Sequence, residues 1–247
     1  MCIIIAKQKG IEFNPDELEK AINNGLYRNN DGSGFALKKV NEERILISKG
    51  YFDEYLENDL LNERQESQLF GAIMRQNVGI EDELVVHLRY STAGEDSISN
   101  CHPYVVSNSS KNIILDSHRV KRPVAAHNGT FWNYNPTRYE HQTKKERKKH
   151  GKLKSMSDTY YFVKHFLSRE GMIDELILAR EYTPKLYEDI MTFNKLAILF
   201  PDDRPMALLG DFITEGNLKY SNSYYKSVEE QEEVIRQQFR GQQQIPD

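Results

Sequence analysis

Apolar positions along the chain fall in short runs, and their spacing switches between the two-residue period of strands and the 3.6-residue period of helices. Residues 2–7 (CIIIAK) open with a β-branched run that predicts a buried strand. Asn14 as N-cap, Pro15 at the first helical position and Glu17 at the third then predict a helix, with Leu18, Ile22 and Leu26 along one face. Asn29-Asn30-Asp31-Gly32-Ser33-Gly34 reads as a turn leading into Phe35-Ala36-Leu37, and 44–50 (RILISKG) as another strand. The segment 53–77 is helical in character, with Leu56, Leu60, Phe70, Ile73 and Met74 forming a broken apolar stripe. A strand within 83–94 delivers Arg89 to its end. Short strands are predicted at 104–107 and 112–116, and an apolar strand from Val124 runs into a turn at Asn128-Gly129. Ser157-Asp158-Thr159 opens a helix that buries Phe162, Val163, Phe166 and Leu167. Helices over 172–181 and 186–193 follow, then strands at 195–200 and 206–210, a tyrosine-rich strand over 219–225, and a charged helix near 227–240 with a Gln-rich tail. No internal repeat or linker interrupts the series, so a single domain over 1–247 is expected.

Composition narrows the class. The chain has 247 residues, 28% charged and 38% hydrophobic, which describes a water-soluble protein with a sizeable core. No stretch is long and apolar enough to span a bilayer, and the N-terminus lacks the basic-then-apolar pattern of a secretion signal. Two cysteines, Cys2 and Cys101, make neither a disulfide framework nor a zinc cluster, and a reducing cytoplasm suits both. The net charge of −4 is uneven: residues 144–154 (KKERKKHGKLK) hold seven Lys/Arg against one Glu. Such a run meets phosphate or nucleic acid in some proteins, but it lacks interleaved aromatics, and a solvated loop is the plainer expectation.

The chemistry begins at Cys2. If Met1 is removed, the thiol and a free α-amine share one residue. That amine, titrating near pH ~8, is in part an unprotonated base at neutral pH, as nucleophilic catalysis by an N-terminal residue requires. The other candidates each carry two readings. The glycines of 29–34 serve a tight turn or allow backbone to approach a reacting centre closely. Arg89, at the mouth of a buried strand beside Ser91, Thr92 and Gly94, makes a structural ion pair or grips a carboxylate ligand. Asn128-Gly129 is a hairpin turn or a pair of donors for a tetrahedral oxyanion. Asp158 complements a helix dipole or faces an ammonium group. Cys101 reads as buried filler. His102 and His127 have no second histidine at metal-site spacing and read as core or turn residues.

Taken in order, Cys2, Asn-Asp-Gly-x-Gly, His-x-Arg-Tyr-Ser-Thr-Ala-Gly (87–94), Asn-x-x-Pro-Tyr (100–104), Ala-His-Asn-Gly-Thr (126–130) and Ser-Asp-Thr (157–159) resemble the class II glutamine amidotransferases, N-terminal nucleophile hydrolases. The resemblance covers residues 2 to about 170, and beyond that only the strand pattern and Tyr220-Ser221-Asn222 suggest the family's closing strands. It implies an α+β fold: a four-layer αββα sandwich of two antiparallel sheets flanked by helices. It further implies that Cys2 attacks the side-chain amide of L-glutamine, with its own α-amine as base and then acid. Asn128 and the Gly129 N–H would hold the oxyanion. Arg89 would take the substrate α-carboxylate and Asp158 its α-ammonium, with Thr92 lining that end and His127 counted among the substrate-binding residues. The half-reaction requires no metal or organic cofactor.

Departures from the family pattern are also visible. Ala93 stands where some branches carry histidine, and the insertion over 134–154, which holds the basic run, is longer than expected. No second domain of synthase size follows. The acceptor of ammonia is therefore expected on a separate protein, or the same machinery hydrolyses γ-glutamyl compounds or other amides with no acceptor. A non-catalytic binding protein on the same scaffold is a third reading, against which the intact set of Cys2, Arg89, Asn128 and Asp158 argues.

Overall fold

In a computed structural model, which describes residues 2–53, 67–92, 94–139, 145 and 156–233, the apolar runs pair into two antiparallel sheets. In chain order the elements are β1 (Ile3–Lys7), α1 (Pro15–Leu26), β2 (Ser33–Lys38), β3 (Ile45–Tyr51), α2 (Gln68–Met74), β4 (Glu83–Leu88), β5 (Tyr104–Val105), α3 (Ser110–Ile113), β6 (Ser117–Val120) and β7 (Val124–Asn128). After them come α4 (Asp158–Phe162, continued by a π-helical turn Val163–Leu167), α5 (Met172–Tyr182), α6 (Pro184–Met191), β8 (Lys195–Leu199), β9 (Ala207–Leu209), β10 (Ile213–Glu215) and β11 (Leu218–Tyr220). One sheet runs β10-β11-β1-β4-β2-β3-β6 and the other β5-β7-β8-β9.

Strand alternation sorts the core into three layers. Ile4, Ala6, Ala36, Ile45, Ile47 and Val85 face Val105, Val124, Ala126, Ala197 and Leu199 across the gap between the sheets. The outer face of the larger sheet (Ile3, Ile5, Phe35, Val86, Leu88) packs on Leu18, Ile22 and Leu26 of α1 and on Leu69, Phe70 and Ile73 of α2. The outer face of the smaller sheet (Tyr104, Ala125, Leu196, Ile198) packs on Tyr160, Phe162, Val163 and Leu167, and on Ile173 and Leu176 of α5. The order is helix, sheet, sheet, helix.

Several elements form for the reasons the sequence suggested. The Asn14 side chain accepts from the Asp16 and Glu17 N–H groups, a cap worth about 1 kcal/mol. Glu17, however, does not reach back to the cap: it accepts from Asn217 N–H and Tyr220 O–H, clamping α1 to the β10–β11 hairpin. Other expectations need correction. Residues 112–116 are not a strand but the end of α3 and a turn, and the strand lies at Ser117–Val120. The segment 219–225 is a strand only to Tyr220, then a 3-10 turn over Ser223–Tyr225. The hairpin strand Ile213–Glu215 was not anticipated. Of the helical segment 53–77, the structure describes Gln68–Met74 as helix, and 54–66 lie outside the described residues. So do 140–144 and 146–155, and with them all of the basic run except Lys145. Of the C-terminal helix, residues 228–233 are helical and the remainder is likewise outside. No helix among the described residues is long and apolar enough to cross a membrane.

Candidate active site

Register brings the candidate residues to one end of the inter-sheet gap. β1 and β4 are neighbours in the centre of the larger sheet, with Ile3 opposite Leu88 and Ile4 opposite His87. The residues just beyond those ends, Cys2 and Arg89, are therefore adjacent. By alternation Cys2 shares a face with Ile4 and Ala6, Arg89 with Val85 and His87, and Asn128 with Val124 and Ala126. All three faces look into the gap.

The Cys2 thiol lies against the backbone of Tyr90: the Tyr90 N–H donates to Sγ at 3.4 Å, and Sγ sits 3.5 Å from the Tyr90 carbonyl. The Cys2 carbonyl accepts from Asn222 Nδ2 at 2.7 Å. Part of the residue meets solvent, but burial of the sulfur pushes the thiol up, opposed by the Tyr90 N–H and the Arg89 charge and reinforced by Asp158. A thiol held protonated at rest needs a nearby base to become a nucleophile.

Arg89 is 4% exposed, and its fork is committed within the chain. Nη1 donates to Asp96 Oδ1 at 2.6 Å and to the Asp31 carbonyl at 3.2 Å; Nη2 donates to Ser91 Oγ at 2.8 Å and the Gly94 carbonyl at 3.4 Å. The Asp96 carboxylate is half exposed. Asp31 does double service, because its Oδ2 accepts from Ser91 N–H at 2.6 Å. Thr92 is exposed on the same loop. Asn100 ties this loop to the Asp158 turn: its Nδ2 donates to the Glu95 carbonyl and its Oδ1 accepts from Ser157 N–H. Ser157 caps α4 through Tyr160 N–H, as its sequence position suggested. Asp158, buried at the helix start, accepts from Phe131 N–H at 2.6 Å.

Asn128 ends β7 with its side chain buried, Nδ2 at 2.9 Å from Ser221 Oγ and Oδ1 without a partner. Asn128-Gly129 is not a two-residue hairpin, since the chain passes on to a 3-10 turn at Trp132–Tyr134. Gly129 has φ +143, and a Cβ there would meet Asn194 Oδ1 at 2.3 Å, so only glycine fits. His127 does not line the gap. Its ring stacks on Phe131 at 4.0 Å, Nδ1 sits 2.7 Å from Thr159 Oγ1 and Nε2 3.0 Å from Asn194 Oδ1. Both ring nitrogens are engaged within the chain.

Behind these groups lies a neutral histidine relay. His87 Nε2 is 3.0 Å from both the His127 carbonyl and His102 Nδ1, and His102 Nδ1 accepts from the His127 N–H. Burial lowers His87 to about 3 and His102 well below its ordinary value. Lys49, buried under the Tyr104 ring, is lowered to about 8 by burial. The glycines of 29–34 pack closely against this interior: a Cβ on Gly34 would meet Lys49 Cβ at 2.4 Å and the His102 carbonyl at 2.5 Å, and one on Gly32 would meet Cys101 Sγ at 2.6 Å. Cys101 itself is fully buried. Among the described residues no group of three or more His, Cys, Asp or Glu side chains could hold a metal ion.

The residues not picked out from sequence are Asp31, Asp96, Asn194, Ser221 and Asn222. Asp31 lay in the Asn-Asp-Gly-x-Gly motif and Ser221 and Asn222 in the Tyr220-Ser221-Asn222 run, but none of them carried a role.

No protein-family model and no curated protein matches the chain. Among solved structures the chain is similar to the glutamine phosphoribosylpyrophosphate (PRPP) amidotransferase from B. subtilis complexed with ADP and GMP, at 15% identity and a TM-score of 0.43. It is also similar to an allosteric regulatory enzyme of purine biosynthesis, at 15% identity and a TM-score of 0.45. Each match covers 89% of this chain and 41% of the other, so the chain spans about two fifths of the length of the structures it matches. The architecture stands on the strand orders and layered cores described above.

Proposed function

We propose that the chain is an N-terminal cysteine amidohydrolase of the class II glutamine amidotransferase kind, acting on the side-chain amide of L-glutamine. The observation that carries the reading is convergence. Cys2, Arg89, Asn128 and Asp158 are 156 residues apart at their extremes and were singled out from sequence alone; the first three stand on strand faces that look into one gap, and the fourth opens α4 within electrostatic reach of the thiol. Sγ rests on the residue after Arg89, Asn128 shares the Ser221 hydroxyl with the Ile4 N–H, and the Asp158 charge acts on the Cys2 thiol.

Removal of Met1 frees the Cys2 α-amine, which takes the thiol proton as sulfur attacks the carboxamide carbon. The resulting oxyanion receives hydrogen bonds from the Asn128 amide nitrogen and the Gly129 N–H. The ammonium formed on Cys2 returns its proton to the departing nitrogen, ammonia leaves, and a γ-glutamyl thioester remains. Water then adds to it, sulfur leaves, and glutamate is released. Arg89 receives the substrate α-carboxylate and Asp158 the α-ammonium, a fixed cation and anion matched to a zwitterion. For Arg89 to serve, the Asp96 carboxylate must give way to that of the substrate. Ammonia passes to an acceptor on a separate protein.

The test is glutamate release from glutamine by the purified protein and by Cys2→Ser. Turnover by the parent protein and none by the variant is expected. Equal turnover by both would remove Cys2 from the mechanism, and preference for γ-glutamyl dipeptides over glutamine would shift the reading to a hydrolase of those compounds.

A further inference from the structure

Ser221, which follows β11, is completely buried, and nearly everything it can bond is fixed by neighbouring strands. Its N–H donates to the Ile4 carbonyl at 3.0 Å. Its carbonyl accepts from Lys195 Nζ at 2.5 Å, and its Oγ accepts from the Ile4 N–H at 2.8 Å. The hydroxyl proton remains, and the side chain within its reach is the Asn128 carboxamide.

With Nδ2 toward Ser221, two donors converge on one oxygen. The Ser221 proton then has no acceptor among the described residues, and Asn128 Oδ1 is buried without a partner. Each unmet buried group costs about 1–3 kcal/mol. A half-turn of the amide about Cβ–Cγ lets Ser221 O–H donate to Oδ1, and the NH₂ group takes the buried position Oδ1 held, where its protons need an acceptor in turn. The two settings have nearly the same shape and differ in which hydrogen bonds are made.

We propose that Ser221 is a positioning residue that holds the Asn128 carboxamide with its nitrogen turned away from Ser221, where it can donate to the oxyanion. The role of that nitrogen rests on the function proposed above. The orientation itself rests on pairing the Ser221 proton with Asn128 Oδ1. The same Oγ also accepts from Ile4 N–H, which fixes where the hydroxyl sits between β1 and Asn128. Asn222, gripping the Cys2 carbonyl, extends the splint.

The experiment compares the parent protein with Ser221→Ala, Ser221→Thr, Asn128→Ala and the Ser221→Ala/Asn128→Ala double variant. Ser221→Ala is expected to lower kcat for glutamine about 10- to 100-fold with KM within about twofold, and Asn128→Ala about 10²- to 10³-fold. The double variant should be no worse than Asn128→Ala, because the hydroxyl acts through the amide. Ser221→Thr, which keeps the hydroxyl, should restore most of kcat. Alkylation of Cys2 by iodoacetamide, which forms no oxyanion, should keep its rate in Ser221→Ala. Multiplicative losses in the double variant, an unchanged kcat in Ser221→Ala, or an equal loss of alkylation would overturn the proposal. If the parent protein releases no glutamate, the functional reading fails separately, and amide orientation is read by NMR. A strong nuclear Overhauser effect from the Asn128 side-chain NH₂ to Ser221 Hβ would overturn the proposal; its absence, with the effect to Ile4 N–H intact, supports it.

Discussion

Acidification should unfold this protein through its buried histidines before its carboxylates titrate. His87 donates from Nε2 to the His127 carbonyl, and its Nδ1 is buried with no partner, so a second proton has nowhere to bond. His102 Nδ1 already faces two donors, His127 N–H and His87 Nε2–H, so a proton there meets like charge. Both rings are therefore held neutral in the folded state. His87 is lowered from 6.5 to about 3 by burial. Above pH ~6.5 it is neutral folded or unfolded and stability is unaffected. Below that value the unfolded chain takes up a proton that the folded chain refuses, and stability falls by about 1.4 kcal/mol per pH unit until the folded value is reached. At pH 5 the loss from His87 alone is about 2 kcal/mol, a sizeable part of a stability of about 5–15 kcal/mol. His102 adds in the same direction, and His127 adds less because Asp158 opposes its shift. Urea unfolding followed by fluorescence between pH 7.5 and 5 measures the slope, and His87→Gln, which keeps a donor for the His127 carbonyl, should flatten it by about 1.4 kcal/mol per unit. A parent protein equally stable at pH 7 and 5, or a variant with the same slope, would refute the reasoning.

Three other outcomes follow from particular contacts. Gly129→Ala should destabilise by about 2–5 kcal/mol through left-handed strain and collision with Asn194, read as a lower urea midpoint; an unchanged midpoint contradicts the backbone described there. Asp96→Asn should lower KM for glutamine about two- to tenfold with kcat nearly constant, since it frees the Arg89 fork from a half-exposed competitor; a raised KM would make Asp96 part of the binding site instead. Lys49→Met should raise stability at pH 7 by about 1–3 kcal/mol, because the buried ammonium, lowered to about 8, is held against its desolvation. It should also remove the gain in parent stability expected between pH 8 and 10, where the unfolded chain still binds the proton.

Much of the fold was legible because its central strands are apolar on both faces and its first helix is capped locally. Ile3-Ile4-Ile5 and Leu84-Val85-Val86 read as buried strands, and Asn14-Pro15 marked the start of α1 at the correct residue. Edge elements were not legible. Ser117–Val120 is polar and largely exposed, whereas Ile113, the apolar signal beside it, is buried from a helical turn. With both faces of this edge strand largely exposed, no apolar alternation marks it in the sequence. In the site, residues with their own local chemistry stood out: a terminal cysteine, an arginine ending a buried strand, an Asn-Gly step. Their partners did not, because Asp31, Asp96, Ser221 and Asn222 acquire meaning only from sheet register. Asp31 lies 60 residues from the N–H it accepts, and Ser221 lies 93 from the amide it orients. His127 read from its spacing as a core or turn residue and was counted as substrate-binding only through the resemblance; its engagement by Thr159 and Asn194 comes from packing across layers.

The central claim is that Cys2, once its amine is free, is the nucleophile. Intact-mass and peptide mapping after exposure to a diazo-ketone analogue of glutamine addresses it in one measurement. A single adduct on Cys2, on a chain that has lost Met1, is the predicted result. Retention of Met1, or an adduct on Cys101 with Cys2 untouched, would contradict it.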